Sequence, residues 1–176
     1  MEPETPSAPP VVAVVVVHDP GAWFDDTLDA LARQDYPNLR LLFLVVAEEA
    51  AAGDPATDAA PSIDARIQQR IPGAFVRAIG ANVGFGTAAN EVLRLVEGDN
   101  GFFLICHDDV APDPGALRLM VEELYRSNAG AVGPKLVDWD DPSVLQAVGL
   151  GMDRFGEIDP VIEPGEVDQE QHDGVR

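Results

Sequence analysis

The sequence predicts an α/β fold built on a mostly parallel sheet. Three observations predict it. Val11-Val12-Ala13-Val14-Val15-Val16-Val17 is an unbroken, largely β-branched run, the pattern of a strand covered on both faces. Two further apolar runs, at 41–46 and 102–106, repeat that pattern, and segments with helical spacing lie between the runs. Strand, helix and strand in this order imply right-handed crossover units.

Residues 1–10 carry four prolines and no periodicity, and are expected to be a disordered leader. The first strand ends at His18-Asp19-Pro20, where Asp19 is expected to cap a helix with Pro20 at its first position. Phe24, Leu28, Leu31 and Ala32 recur at helical spacing and should pack on the sheet. Gln34-Asp35-Tyr36-Pro37-Asn38 stops that helix, because proline cannot continue it. A second strand follows over 39–46, and the small, acidic stretch 47–60 reads as a loop. Ile63, Ile67 and Ile71 mark a one-sided helix ended by Pro72-Gly73, and 74–79 is a third strand.

The glycine-containing stretch 80–90 then opens a helix whose Val92, Leu93 and Val96 are expected to face inward. Backbone amides at such a start can hold an anion. The spacing fits neither GxGxxG nor the P-loop, so those two nucleotide-binding motifs are excluded. The fourth strand, 101–107, is expected to be buried and to deliver His107-Asp108-Asp109 to the carboxyl end of the sheet, where open α/β sheets bind ligands. Carboxylates there suit hard cations such as Mg²⁺ or Mn²⁺. The plainer alternative is that Asp108 and Asp109 are turn residues capping a helix near Pro112. Leu117, Met120, Val121 and Leu124 define that helix, which Ser127-Asn128-Ala129-Gly130 closes. A strand-like segment over 131–137 leads to Asp138-Trp139-Asp140, and from Asp153 the chain turns acidic and loses periodicity.

A chain of 176 residues with 46% hydrophobic content is long enough for one domain with a core. No apolar run reaches bilayer length and the N-terminus lacks a signal-peptide pattern, so a cytoplasmic domain is expected. The single cysteine, Cys106, excludes an internal disulfide and reads as a packed thiol rather than a nucleophile. Eleven Lys and Arg against 31 Asp and Glu give a formal charge of −20, which argues against nucleic-acid partners and anionic membrane. An anionic nucleotide would need a cation or backbone amides beside it.

Taken in order, these pieces resemble the N-terminal, donor-binding half of a GT-A glycosyltransferase of the family-2 type. Gln34-Asp35-Tyr36-Pro37-Asn38 is similar to its Q-x-Y-P-N, and Asn82-x-Gly84 with Ala88-Ala89-Asn90 to its N-x-G and A-x-N. His107-Asp108-Asp109-Val110 resembles its D-x-D-V region. Val132-Gly133-Pro134-Lys135-Leu136 with Gln146, Gly149, Gly151 and Gly156 resembles bacterial rhamnosyl- and galactofuranosyl-transferase members, and the resemblance extends to a further subgroup in which such a domain heads a larger membrane protein.

The resemblance implies a Rossmann-like GT-A fold, a nucleotide-sugar-binding domain over 11–157, and an acidic tail or the start of an acceptor-side portion over 158–176. It implies inverting, metal-assisted transfer from a nucleoside-diphosphate sugar to a glycan or lipid-linked acceptor in cell-envelope glycan synthesis. Asp109 matches the last Asp of D-x-D and is the first candidate ligand for Mg²⁺ or Mn²⁺; His107 stands where the first Asp usually is. His18, Asp19, Asn82, Gly84, Asn90 and Asp108 fall at nucleotide-lining positions, with Glu48 standing in for an Asp after the second strand. Asp138-Trp139-Asp140 is a second, literal D-x-D that the resemblance places on the acceptor side. The family's general base is expected beyond Arg176, so no catalytic residue is nominated, and residues 1–176 alone are expected to transfer sugar poorly or not at all. The departures at His107 and Glu48 leave an alternative, a degenerate binding or scaffolding domain of the same fold. A receiver-type fold needs an acidic pair after its first strand and a lone Asp after its third, and neither is present.

Overall fold

The computed structural model describes residues 8–46, 62–80, 83–96, 101–149 and 151–173. The chain divides into two units, Met1–Leu117 and Arg118–Arg176.

The first unit holds β1 (Val11–Val17), α1 (Phe24–Ala32), β2 (Leu39–Val46), α2 (Ile63–Arg70), β3 (Phe75–Ile79), α3 (Phe85–Ala89), α4 (Val92–Leu95) and β4 (Phe102–His107). The four strands form one parallel sheet in the order β3-β2-β1-β4. Both faces of the central strands are covered. Ala13, Val15, Val17, Leu41 and Phe43 pack with Phe24, Leu28 and Leu31 of α1 and Ile67 of α2. On the other face Val14, Leu42 and Leu44 pack with Val92, and Val16 and Val46 with Ala88 and Ala89. Alternate side chains thus serve opposite layers, which explains why β1 reads as a continuous apolar run.

Several local expectations are corrected. Asp19 does not cap α1: it has φ 49, the left-handed region, while the helix begins at Phe24 with Trp23 at its N-cap position. Ala32 is exposed, and Thr27 and Ala30 join the buried face of α1 instead. Leu93 is 66% exposed, because adjacent helical positions are about 100° apart and Val92 already takes the inward one. β4 is an edge strand rather than a fully buried one. Leu104 and Cys106 pack on the α1 side, whereas Phe103 and Ile105 are 41% and 49% exposed.

The family-like segment after α1 is a clamp. Gln34 Nε2 donates to the carbonyls of Pro112 (3.2 Å) and Asp113 (2.8 Å), and its Oε1 accepts from the Leu117 amide (3.2 Å). The Asp35 amide donates to the Pro114 carbonyl, fixing the same loop. The Tyr36 hydroxyl donates to Pro9 O (2.7 Å) and Asn38 Nδ2 to Ala8 O (2.9 Å). Residues 8–10, expected within the disordered leader, are therefore pinned beside β1 and β4. Gly101 permits this approach, since a Cβ there would lie 2.8 Å from Pro10 O. Residues 1–7 and the loop at 47–60 lie outside the described residues.

The second unit holds α5 (Ala116–Ser127, which begins just inside the first unit), β5 (Lys135–Val137), β6 (Leu145–Val148), β7 (Gly151–Met152) and β8 (Ile158–Asp159). β5 pairs with β6 and β7 with β8, each antiparallel, so the 131–137 segment shortens to three residues in a sheet of its own. The acidic stretch beyond has structure as well. Val167 bridges to Val144, the Leu145 amide donates to Glu166 O, and the Asp168 amide donates to Ser143 O. No helix among the described residues is long and apolar enough to cross a membrane.

Candidate functional site

The chain reverses its direction of travel across the sheet at β1, which pairs with β2 on one side and β4 on the other. The carboxyl ends of β1 and β4 therefore form the switch point at which such sheets take ligands. Register sets them level, with Val16 opposite His107.

Five expected residues meet there. Asp108 Oδ2 accepts from the His18 amide at 2.9 Å, joining the turn after β4 to the turn after β1. The Asp108 carbonyl accepts from Thr27 Oγ1 at 3.0 Å, and Thr27 is completely buried in α1. Asp108 is thus a positioning residue for both turns. Asp19 follows in its left-handed conformation, which Asp tolerates better than most side chains. His107 and Asp109 flank Asp108 and are exposed.

A further residue arrives from α3. The Phe85 ring stacks on His107 with centroids 3.9 Å apart and planes 9° from parallel. Phe85 directly follows Gly84, the N-cap residue of α3, so the stack brings the start of α3 to the end of β4. Gly84 has φ −64, and a Cβ there would meet nothing within 4 Å. The fold itself therefore makes no steric demand for glycine at this position. Asn90 sits at the far end of α3, its amide donating to Gly86 O, and makes no described bond to His18, His107 or Asp108. Glu48 and Asn82 lie outside the described residues.

Two site contributors escaped the sequence reading. Thr27 carried no signal beyond being a polar residue on the apolar stripe of α1. Phe85 was visible only as an aromatic beside a glycine-rich stretch.

Cys106, one residue before His107, packs against the α1-side core. Burial, aided by the charges of Asp108 and Asp109, pushes its thiol up to about 12. A thiol held that high is no nucleophile near neutral pH, as the sequence reading expected.

No group of three or more His, Cys, Asp or Glu able to hold a metal ion is present among the described residues. Mg²⁺-type cations need no such cage, since one or two carboxylates plus substrate phosphates are their usual protein-side set. The exposed Asp109 carboxylate fits that mode. Stacking covers the face of the His107 ring, whereas its nitrogen lone pairs lie in the ring plane.

The second D-x-D is turned to local structure. Asp138 Oδ1 accepts from the amides of Asp140 and Asp141 at 3.0 Å each, and Oδ2 from Gln146 at 2.7 Å. These bonds lower its pKa, the backbone amides contributing most.

Among curated proteins no sequence matches this chain. Among solved structures, the mannosyltransferase PcManGT from Pyrobaculum calidifontis, in complex with GDP-Man and Mn²⁺, is 23% identical with a TM-score of 0.49, over 66% of this chain and 32% of that one. S. aureus TarS is 14% identical with a TM-score of 0.48, over 77% of this chain and 25% of that one. TarS 1–349 in complex with UDP-GlcNAc gives 14% identity and a TM-score of 0.47, over 77% and 40%. The chain thus spans well under half the length of these proteins. The family profile described as Glycosyl transferase family 2 matches residues 12–159, which takes in the parallel sheet except its first residue, Val11, and the switch point. The expected fold, an α/β nucleotide-diphospho-sugar transferase fold of GT-A type, stands on that match and on the observed sheet, and the chain belongs to glycosyl transferase family 2.

Proposed function

We propose that this domain binds a nucleoside-diphosphate sugar across the carboxyl ends of β1 and β4, and that the whole protein transfers the sugar with inversion to a glycan or lipid-linked acceptor in cell-envelope glycan synthesis. The observation that carries the reading is the joining of three strand ends at the switch point: Asp108 tied to His18, and His107 stacked on Phe85. His18, Asp19, Gly84 and Asp108 line the nucleotide. By the family resemblance Asn90, Glu48 and Asn82 also fall at nucleotide-lining positions.

Asp109, with His107 beside it, would hold Mg²⁺ or Mn²⁺. When bound, such a cation neutralises charge developing on the leaving diphosphate. With a formal charge of −20, the chain gives an anionic nucleotide little electrostatic help without that cation. The protein's own part is positional: Asp108 and Thr27 fix both turns, and Phe85 keeps the His107 ring in one orientation.

Calorimetric titration of UDP and GDP, with MnCl₂ and then with EDTA, tests this. Binding should require the metal and should weaken at least tenfold in Asp109→Asn. Equal binding with and without metal would refute the metal assignment. Absence of binding to either nucleotide would refute the donor site and favour the scaffolding reading.

A further inference from the structure

A groove of about 440 Å³ lies at the opposite end of the sheet, near the amino ends of β1, β2 and β3. Val12, Leu42, Phe75 and Leu95 give it an apolar lining, and Arg40 and Arg77 add two guanidinium groups. Its volume falls within the range of sites for small organic ligands. Leu42 and Phe75 are a cross-strand pair, and Arg77 lies opposite Leu44. Arg40 precedes Leu44 by four residues, so the backbone positions of the two arginines are about 13 Å apart along the strands, with the apolar pair between them.

Charge sets this groove apart. The described ion pairs use Arg66, Arg70, Arg94, Arg118, Arg126, Lys135 and His172; neither Arg40 nor Arg77 enters one. In a chain with 31 acidic residues, the lining residues of this groove include two arginines and no Asp or Glu. Phe75, between them, is 61% exposed. Guanidinium groups recognise carboxylate and phosphate through paired hydrogen bonds, and an open aromatic face accepts an apolar body.

We infer that this groove binds a small amphipathic organic anion. The acidic group of the ligand pairs with a guanidinium, and its apolar body covers Leu42 and Phe75. The site is separate from the nucleotide-binding end and does not depend on it.

Titration of the fluorescent sulfonate 1-anilinonaphthalene-8-sulfonate tests the inference, with Arg40→Gln, Arg77→Gln and the double variant beside the wild type. Both arginines are exposed, so the variants should fold, which circular dichroism checks. One saturable site is expected, at least about tenfold weaker in the double variant, with the larger single-variant loss falling on the arginine that pairs with the acid group. Decanoate should displace the probe; UDP with MnCl₂ should not. In the wild type, amide shifts should centre on Val12, Phe75 and Leu95. Probe binding that is absent, or that ignores both substitutions, would overturn the inference. Displacement by inorganic phosphate as readily as by decanoate would also overturn it, because the apolar part of the ligand would then count for nothing.

Discussion

Residues Met1–Leu117 and Arg118–Arg176 hold their shapes by different means. In the first unit Val14, Val15, Phe43 and Leu44 are fully enclosed between helices on both faces of a parallel sheet. In the second, Val121 and Leu145 are the buried apolar side chains among the described residues. Its order rests instead on polar ties. Lys135, the only lysine, pairs with Asp168 at 2.7 Å and Asp173 at 2.8 Å. Glu166 accepts from Gln171 and pairs with His172 at 2.8 Å. Apolar burial does not titrate and is not screened by salt, whereas partly exposed charge pairs respond to both pH and ionic strength. The first unit should therefore keep its fold under conditions that loosen the second.

The largest effect should come from emptying the first core. Phe43→Ala removes a fully buried ring that meets Phe24 edge-on at 6.4 Å, and should cost about 3–5 kcal/mol in urea unfolding. Gln34→Ala comes next. It removes the side chain that holds Pro112, Asp113 and Leu117, and should cost about 2 kcal/mol, with faster amide exchange at Leu117. A Gln34→Ala protein as stable as the wild type would show that the clamp follows the loop rather than fixing it.

Acid should then separate the units. Hydrogen bonds from Gln171 and from the Glu163 amide, with His172, hold the Glu166 carboxyl down to about 2, and Lys135 lowers Asp168. A depressed carboxyl stabilises the fold above its ordinary value and loses that contribution as pH falls through its folded value. Between about pH 4.5 and 2, amide exchange at Leu145 and Asp168 should accelerate while the β1 amides stay protected. Lys135 has the opposite sign. Its pKa is raised by Asp168 and Asp173, so its contribution persists below the ordinary lysine value and fades only above it. Lys135→Met should reproduce the loosening at neutral pH. The smallest effect belongs to Arg94→Ala, which breaks an exposed pair with Glu91 and should change stability by less than about 0.5 kcal/mol.

The same contrast explains what the sequence could reveal. The valine run of β1 announces a doubly covered strand, because both side-chain phases are apolar. β4 shows the same run, yet lies at the sheet edge with Phe103 and Ile105 exposed. Periodicity reports which residues are apolar, not how many layers cover them. Asp19 looked like a helix cap because it precedes proline, and only the backbone shows it in the left-handed region. The site was legible where it is local. His107, Asp108 and Asp109 end a strand, and strand ends are visible. Its long-range parts were not: Thr27 reaches Asp108 across 81 positions, and Phe85 meets His107 across a crossover. Nothing in either neighbourhood encodes those meetings. In the second unit, Lys135 stood out as the sole lysine, but its carboxylate partners lie more than 30 positions on, in a stretch without periodicity.

The sheet itself offers the most direct test of the donor-site account, because its two ends carry different candidate sites. Amide shifts should be recorded as UDP and MgCl₂ are added to ¹⁵N-labelled protein. The account predicts shifts at Val17, His18, Asp19, Phe85, His107 and Asp109, with Arg40, Phe75 and Arg77 unmoved. Shifts confined to the amino-end groove, or none at His18 and Asp109, would contradict it.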